Sequence, residues 1–200
     1  GGVANSNVIS SMLDKKGNLF ENKKKFTLNA SPNDLKKELQ AQIDLAKSIG
    51  IKPTHIDSHE GALFFDQSIF KTYLDIGEEN QLPVFVPKEV AVHFDKSFPK
   101  PENVVIVENM FMALPNLEFK DWSDYYVNVI ENLKPGLNEI IVHLGYDDKE
   151  MQQITIEHPN YGSKWRNLDM DVVSSESFKQ AIEKNNIKLV TWREIQKVIY

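Results

Sequence analysis

Two histidines and an aspartate recur at alternate positions in Thr54-His55-Ile56-Asp57-Ser58-His59. Imidazoles and a carboxylate on one face are the materials of a metal site or of acid–base chemistry. Pro53, the β-branched Thr54 and Ile56, and the strict alternation argue for a strand, on which every second residue shares a face. At ~3.3 Å per residue, His55 and His59 would stand ~13 Å apart on that strand. Nitrogen ligands lie at ~2 Å from a metal ion, so the two cannot share one. Either the strand ends near Asp57 and the chain bends, for which Gly61 is suited, or one histidine alone is a ligand. The expected arrangement has His59 at the strand's C-terminal mouth, Asp57 beside it and His55 deeper. A helix would also place His55 and His59 on one face, but Pro53 and Gly50 argue against it. Hydrogen-bonded core histidines are the plainer alternative.

Such residues need elements to position them, and the chain is long enough to supply these. Its 200 residues can bury a sizeable core as one domain. Hydrophobic content of 41% and charged content of 26% are ordinary for a globular protein. Lys and Arg total 23 against 29 Asp and Glu, and the resulting pI near 5.4 argues against nucleic acid as a partner. Lys23-Lys24-Lys25 is the one basic run and reads as a solvated loop. No apolar segment is long enough to span a membrane. The absence of cysteine excludes disulfides, thiolate metal sites and a Cys nucleophile. The opening Gly1-Gly2 carries no targeting signature and reads as an artificial or processing boundary. A cytoplasmic and a secreted or periplasmic location therefore both stay open.

Helices and strands alternate along the chain. Residues 1 to about 30 read as irregular, with a Lys16-Gly17-Asn18 turn between apolar pairs. Ser31-Pro32-Asn33-Asp34 opens a helix whose stripe is Leu35, Leu39, Gln42, Ile43 and Ala46, and Gly50 stops it. Strand 53–57 precedes a helix from Asp66 to Asn80. Strands are expected at 82–87, 104–107, 139–143 and 187–191, and helices at 121–133, 174–184 and 192–200. Residues 104–107 read as a strand buried on both faces. This alternation predicts an α/β protein with a mainly parallel sheet, open or closed into a barrel. Sites in such folds lie at the C-terminal ends of strands. His59 and His143 both fall at or just past such ends.

The stretch from Lys52 to His59 resembles the YdjC-like carbohydrate deacetylases, the family of chitooligosaccharide deacetylase. Ile141-Val142-His143-Leu144-Gly145-Tyr146-Asp147-Asp148, His158-Pro159, Trp165-Arg166-x-x-Asp169-x-Asp171 and Val190-Thr191-Trp192-Arg193-Glu194 follow in matching order. The resemblance implies a distorted TIM-like (β/α) barrel of parallel strands and a metal-dependent hydrolase that removes N-acetyl groups from amino sugars or oligosaccharides. It makes His59 a metal ligand and His143 the histidine of acid–base chemistry. Asp57 becomes an orienting residue or general base, and His55 a neighbour that orients the ligand. Leu144 stands where the family usually has proline, which leaves the backbone after His143 less fixed. The family's Asp-Asp pair and Gly-x-His strand end have no counterpart here; Asp147-Asp148 follows His143 and reads as a helix cap. The chain is thus expected to be the C-terminal two-thirds of such a barrel, without its first βα units.

One divalent metal, Zn or Mg, is the implied cofactor, with an incomplete ligand set in this chain. Catalytic zinc usually keeps three protein ligands, so the 200 residues alone are expected to bind metal weakly and to show little activity. Trp165 and Arg166 are the expected sugar contacts, placed in a loop-rich region near His158. Trp122 and Trp192 read as core packing, Arg193 as a structural pair, and His93 and His158 as surface or loop histidines. An incomplete barrel would expose apolar strand edges and favour a homo-oligomer. Two other readings stand beside deacetylation. One is another barrel metal hydrolase of phosphoesterase or amidohydrolase type, for which phosphate-binding glycine loops are missing. The other is a non-catalytic carbohydrate-binding remnant.

Overall fold

The structure, a computed structural model, describes residues 2–94 and 101–200; Gly1 lies outside them. The chain, expected to be one domain, divides into two compact units. The first comprises residues 1–106 and 190–200, the second Val107–Leu189.

In the first unit the helix cap at Ser31 forms as expected. Its hydroxyl accepts from the Asp34 N–H at 3.2 Å and starts α2 (Pro32–Ser48). Asp34 is anchored in turn by the Ser11 hydroxyl and N–H, which hold its carboxyl below the usual range. The buried residues of α2 include Glu38, whose carboxylate accepts from the N–H groups of Val3 and Ala4 and from Gln42. The expected stripe had Gln42 facing inward; it is exposed, and Glu38 is the buried polar group. The Lys-Gly-Asn turn forms as expected, with Asp14 accepting from Lys16 and Asn18 and Gly17 at φ +80°. Lys23-Lys24-Lys25 is not a loop. It is the first turn of α1 (Lys23–Asn29), because Asn22 caps it and Phe26 is buried behind it.

Asp66 caps α3 (Gln67–Glu79), whose Ile69, Phe70, Tyr73 and Ile76 enter the core. β1 (Val84–Pro87) is buried throughout and pairs with β2 (Val104–Val107). β2 alternates between half-buried and buried positions instead of being buried on both faces. Between these strands lies α4 (Lys88–Phe94), which carries His93 on its exposed side. The expected strand 53–57 shrinks to one parallel bridge, Ile56 to Val84. Its Ile56 N–H donates to the Pro83 carbonyl, and its carbonyl accepts from Phe85. Pro53 has no N–H with which to extend that ladder.

In the second unit β3 (Asn109–Phe111) and β4 (Asn138–Ile140) run parallel, with Met110 opposite Glu139. Trp122 opens α5 (Trp122–Glu131), which packs on α7 (Ser163–Ser174) and α8 (Glu176–Lys184). Trp122, Tyr126, Ile130, Trp165 and Phe178 form the centre of this core. Asp148 caps α6 (Lys149–Ile154), as the Asp pair was expected to do. The expected strand 187–191 joins neither sheet among the described residues; Leu189 is exposed, and a strand without a neighbour has nothing to pack or pair with. Back in the first unit, Thr191 and Glu194 form a reciprocal cap for α9 (Trp192–Ile199). The fold is α/β with parallel strands, and no closed barrel forms among the described residues.

Candidate active site

The motif of the first unit is built on Ile56. The Tyr73 hydroxyl reaches up from α3 to lie 2.9 Å from the carbonyls of both Ile56 and Phe85. Burial, the larger cause, and the nearby Asp57 charge push that phenol well above its ordinary pKa, so it stays a neutral donor. With Ile56 fixed on the sheet side, His55 turns the other way. Its ring stacks on Trp192 at 4.2 Å, and its Nδ1 lies 3.1 Å from the Thr54 hydroxyl. Burial lowers the His55 pKa, and the Asp57 charge opposes that shift without cancelling it. His55 is therefore a neutral, packed imidazole near pH 7.

Beyond Asp57 the chain bends. Ser58 is buried, and its hydroxyl accepts from the Leu63 N–H at 2.9 Å. Its carbonyl accepts from Gly61 at 2.7 Å. Glu60 (φ 51°) and Gly61 (φ 66°) both adopt left-handed conformations and break the short turn His59–Phe64. Lys23 braces that turn from α1, donating to the Glu60 carbonyl at 2.9 Å and pairing with its carboxylate at 3.2 Å. His59 and Asp57 stand exposed on this bend. Arg193 meets no carboxylate among the described residues; it donates to the Lys52 carbonyl at 3.2 Å.

His143 belongs to the second unit. β4 stops at Ile140, and Ile141 still donates to the Phe111 carbonyl. The expected strand through His143 ends early because the His143 N–H is taken by the Asp169 carboxylate at 2.8 Å. Asp169 is fully buried on α7. Its other oxygen accepts from the Trp122 indole at 2.9 Å and the Tyr126 hydroxyl at 3.0 Å. Burial of Tyr126, the larger cause, and the Asp169 charge raise the Tyr126 pKa and keep it a donor. The His143 ring lies 5.0 Å from Tyr161, itself 4.4 Å from Trp165.

Trp165 and Arg166 lie on α7, not in a loop. Trp165 is 2% exposed, edge-on to Trp122, so its ring is enclosed by the core instead of presented to solvent. Arg166 is half-buried and donates from Nε to the Tyr161 carbonyl at 2.8 Å. The structure thus gathers His55, Asp57 and His59 within the first unit and His143, Trp165 and Arg166 within the second. It adds Asp169 and Tyr161, which sequence reasoning did not select; Asp169 stood in the Trp165-Arg166-x-x-Asp169 pattern, but its role depends on long-range burial. Among the described residues no three His, Asp or Glu side chains are grouped so as to hold a metal ion. Imidazoles and carboxylates of this kind are able to transfer protons and to orient other groups.

A model of the YdjC-like protein family matches residues 2–184. A carbohydrate deacetylase of Clostridium beijerinckii is 24% identical over 189 residues, covering 94% of this chain and 71% of that protein. A carbohydrate deacetylase of Thermoanaerobacter pseudethanolicus is 22% identical, covering 92% of this chain and 69% of that protein. One of Brevibacillus brevis is 24% identical, covering 94% and 71%. Among solved structures, a protein of Enterococcus faecalis V583 provisionally assigned to cellobiose-phosphate cleavage superposes with a TM-score of 0.74. It is 20% identical and covers 97% of this chain and 72% of its own, a likeness of fold.

Proposed function

The chain belongs to the YdjC-like family, and from that premise we propose that it is a carbohydrate deacetylase, hydrolysing the N-acetyl amide of an amino sugar or oligosaccharide. The observation that carries this reading is the shared name of relatives that each match more than nine-tenths of the chain. For the fold, the same reading extends the parallel strands to a distorted (β/α) barrel.

Amide hydrolysis needs an activated water and a proton for the departing nitrogen. His143 is the proposed proton donor. An imidazole titrates near neutrality, and this one follows a parallel strand with its backbone held by Asp169. Asp57, an exposed carboxylate on the bend, is proposed to orient the water or accept its proton. His55, packed on Trp192, steadies the segment that carries Asp57 and His59. Arg166, anchored through Nε, is proposed to offer its terminal nitrogens to sugar oxygens, with Trp165 acting from behind Tyr161. The divalent ion implied by the family, Zn²⁺ or Mg²⁺, is proposed to meet this chain at His59. The described residues complete no metal centre around it, and the roles assigned here belong to the chain's own side chains.

Acetate release tests the proposal. The protein expressed from its native gene, supplied with Zn²⁺ or Mg²⁺, is incubated with N-acetylated oligosaccharides. Acetate and free amine are expected in equal amounts; substrate left intact throughout contradicts the reading.

A further inference from the structure

We propose that Asp169 is the positioning residue for His143: three neutral donors lock its buried carboxylate so that Oδ2 faces the histidine. The role given to His143 rests on the deacetylase reading above; the contact between the two residues does not.

Asp169 is 0% exposed. A carboxylate so placed is costly unless hydrogen-bonded or paired. Trp122 and Tyr126 both donate to Oδ1, from opposite ends of the first turn and a half of α5. That fixes the carboxyl plane and leaves Oδ2 for the strand side. There it accepts the His143 N–H at 2.8 Å and lies 4.0 Å from the His143 Nδ1. This distance suits an ion pair with a protonated ring better than a hydrogen bond. Among the described residues, the imidazole of His143, which carries charge only when protonated, is the basic group that lies 4.0 Å from Asp169.

The other side of the ring meets Tyr161 at 5.0 Å, a non-glycine residue with φ 63°. Such a conformation persists only when its surroundings hold it. Arg166 on its carbonyl and Trp165 against its ring do so. Titratable groups bordering the imidazole include Asp169 on α7 and Tyr161 before it. Tyr126 of α5 and Arg166 of α7 act through them. An asparagine could accept both Oδ1 donors, but its amide would turn an N–H toward the His143 N–H, so all three hydrogen bonds are met only by a carboxylate. The negative charge has a second effect beside these hydrogen bonds: at 4.0 Å from Nδ1 it favours the protonated imidazole that an acid needs.

The test follows the His143 ring by NMR across pH. Asp169→Asn is expected to lower the His143 titration midpoint by about one pH unit or more, and Asp169→Glu to lower it less; an unchanged midpoint in Asp169→Asn overturns the proposal. A second measurement needs no variant. In the unsubstituted protein the Asp169 carboxyl carbon resonance is expected to inflect at the His143 midpoint, and a flat trace there overturns the proposal. Acetate release is scored separately. If the native protein releases none, the deacetylase reading fails, while the two titrations still decide whether Asp169 governs His143.

Discussion

The His55 imidazole lies flat on the Trp192 indole, with ring centroids 4.2 Å apart and planes within 5° of parallel. The contact ties the last helix, α9, to the segment that carries Asp57 and His59. Arg193 on the Lys52 carbonyl and Gln196 near the Gln81 carbonyl hold the same helix.

This stack makes stability pH-dependent. Burial lowers the His55 pKa in the folded chain below the ordinary histidine value of 6.5. The unfolded chain then binds more protons between the two values, so stability rises with pH in that window. The contribution is fully present above 6.5 and is lost as pH falls through the folded value. Thermal midpoints measured from pH 7.5 to 5 should fall more steeply for the native sequence than for His55→Phe. Parallel curves would contradict this.

The bend beneath His59 is set by backbone conformation. Gly61 sits at φ +66°, and an added Cβ would come 3.1 Å from the Phe64 ring. Gly61→Ala is expected to cost about 1–2 kcal/mol from the left-handed conformation alone. Urea unfolding checks the value; a variant as stable as the parent would show that the turn is not held as described.

Tyr126 donates one hydrogen bond to a fully buried carboxylate and receives one from the Ala113 N–H. Tyr126→Phe removes both while preserving the ring. A loss of roughly 1.5–3 kcal/mol is expected, as for a bond to a charged group. A change below about 0.5 kcal/mol, typical of surface sites, would contradict the geometry around Asp169.

Helices announced by side-chain caps were legible in the sequence. Ser31, Asp66, Asp148 and Ser175 each cap a helix where the sequence predicts a helix start, and Thr191, expected to end a strand, caps the helix that follows it. Strands were less so. Residues 187–191 have strand-like composition, but a strand exists only if a neighbour pairs with it, and composition does not reveal the neighbour. β3 was missed for the converse reason: Asn109-Met110-Phe111 has no β-branched residue, yet β4 lies beside it. α7 is less legible: Trp165, Asp169 and Val172 share helical spacing, but Gly162 before the helix offers no side-chain cap to announce it. No local pattern displays the role of Asp169, because its hydrogen-bond partners lie 26 to 47 positions away.

Metal affinity follows from the ligand geometry. With no three His, Asp or Glu side chains grouped for an ion among the described residues, calorimetric titration of the 200-residue chain with Zn²⁺ or Mg²⁺ should give weak binding without a defined stoichiometry. A tight one-to-one isotherm would contradict it.

The most direct test of the central claim is the rate of acetate release by His143→Ala beside the native protein, on the same N-acetylated oligosaccharide and with the same metal supplied. If His143 donates the proton to the leaving nitrogen, the variant should lose at least roughly 100-fold in rate while remaining folded. A variant that releases acetate at the native rate would contradict the account.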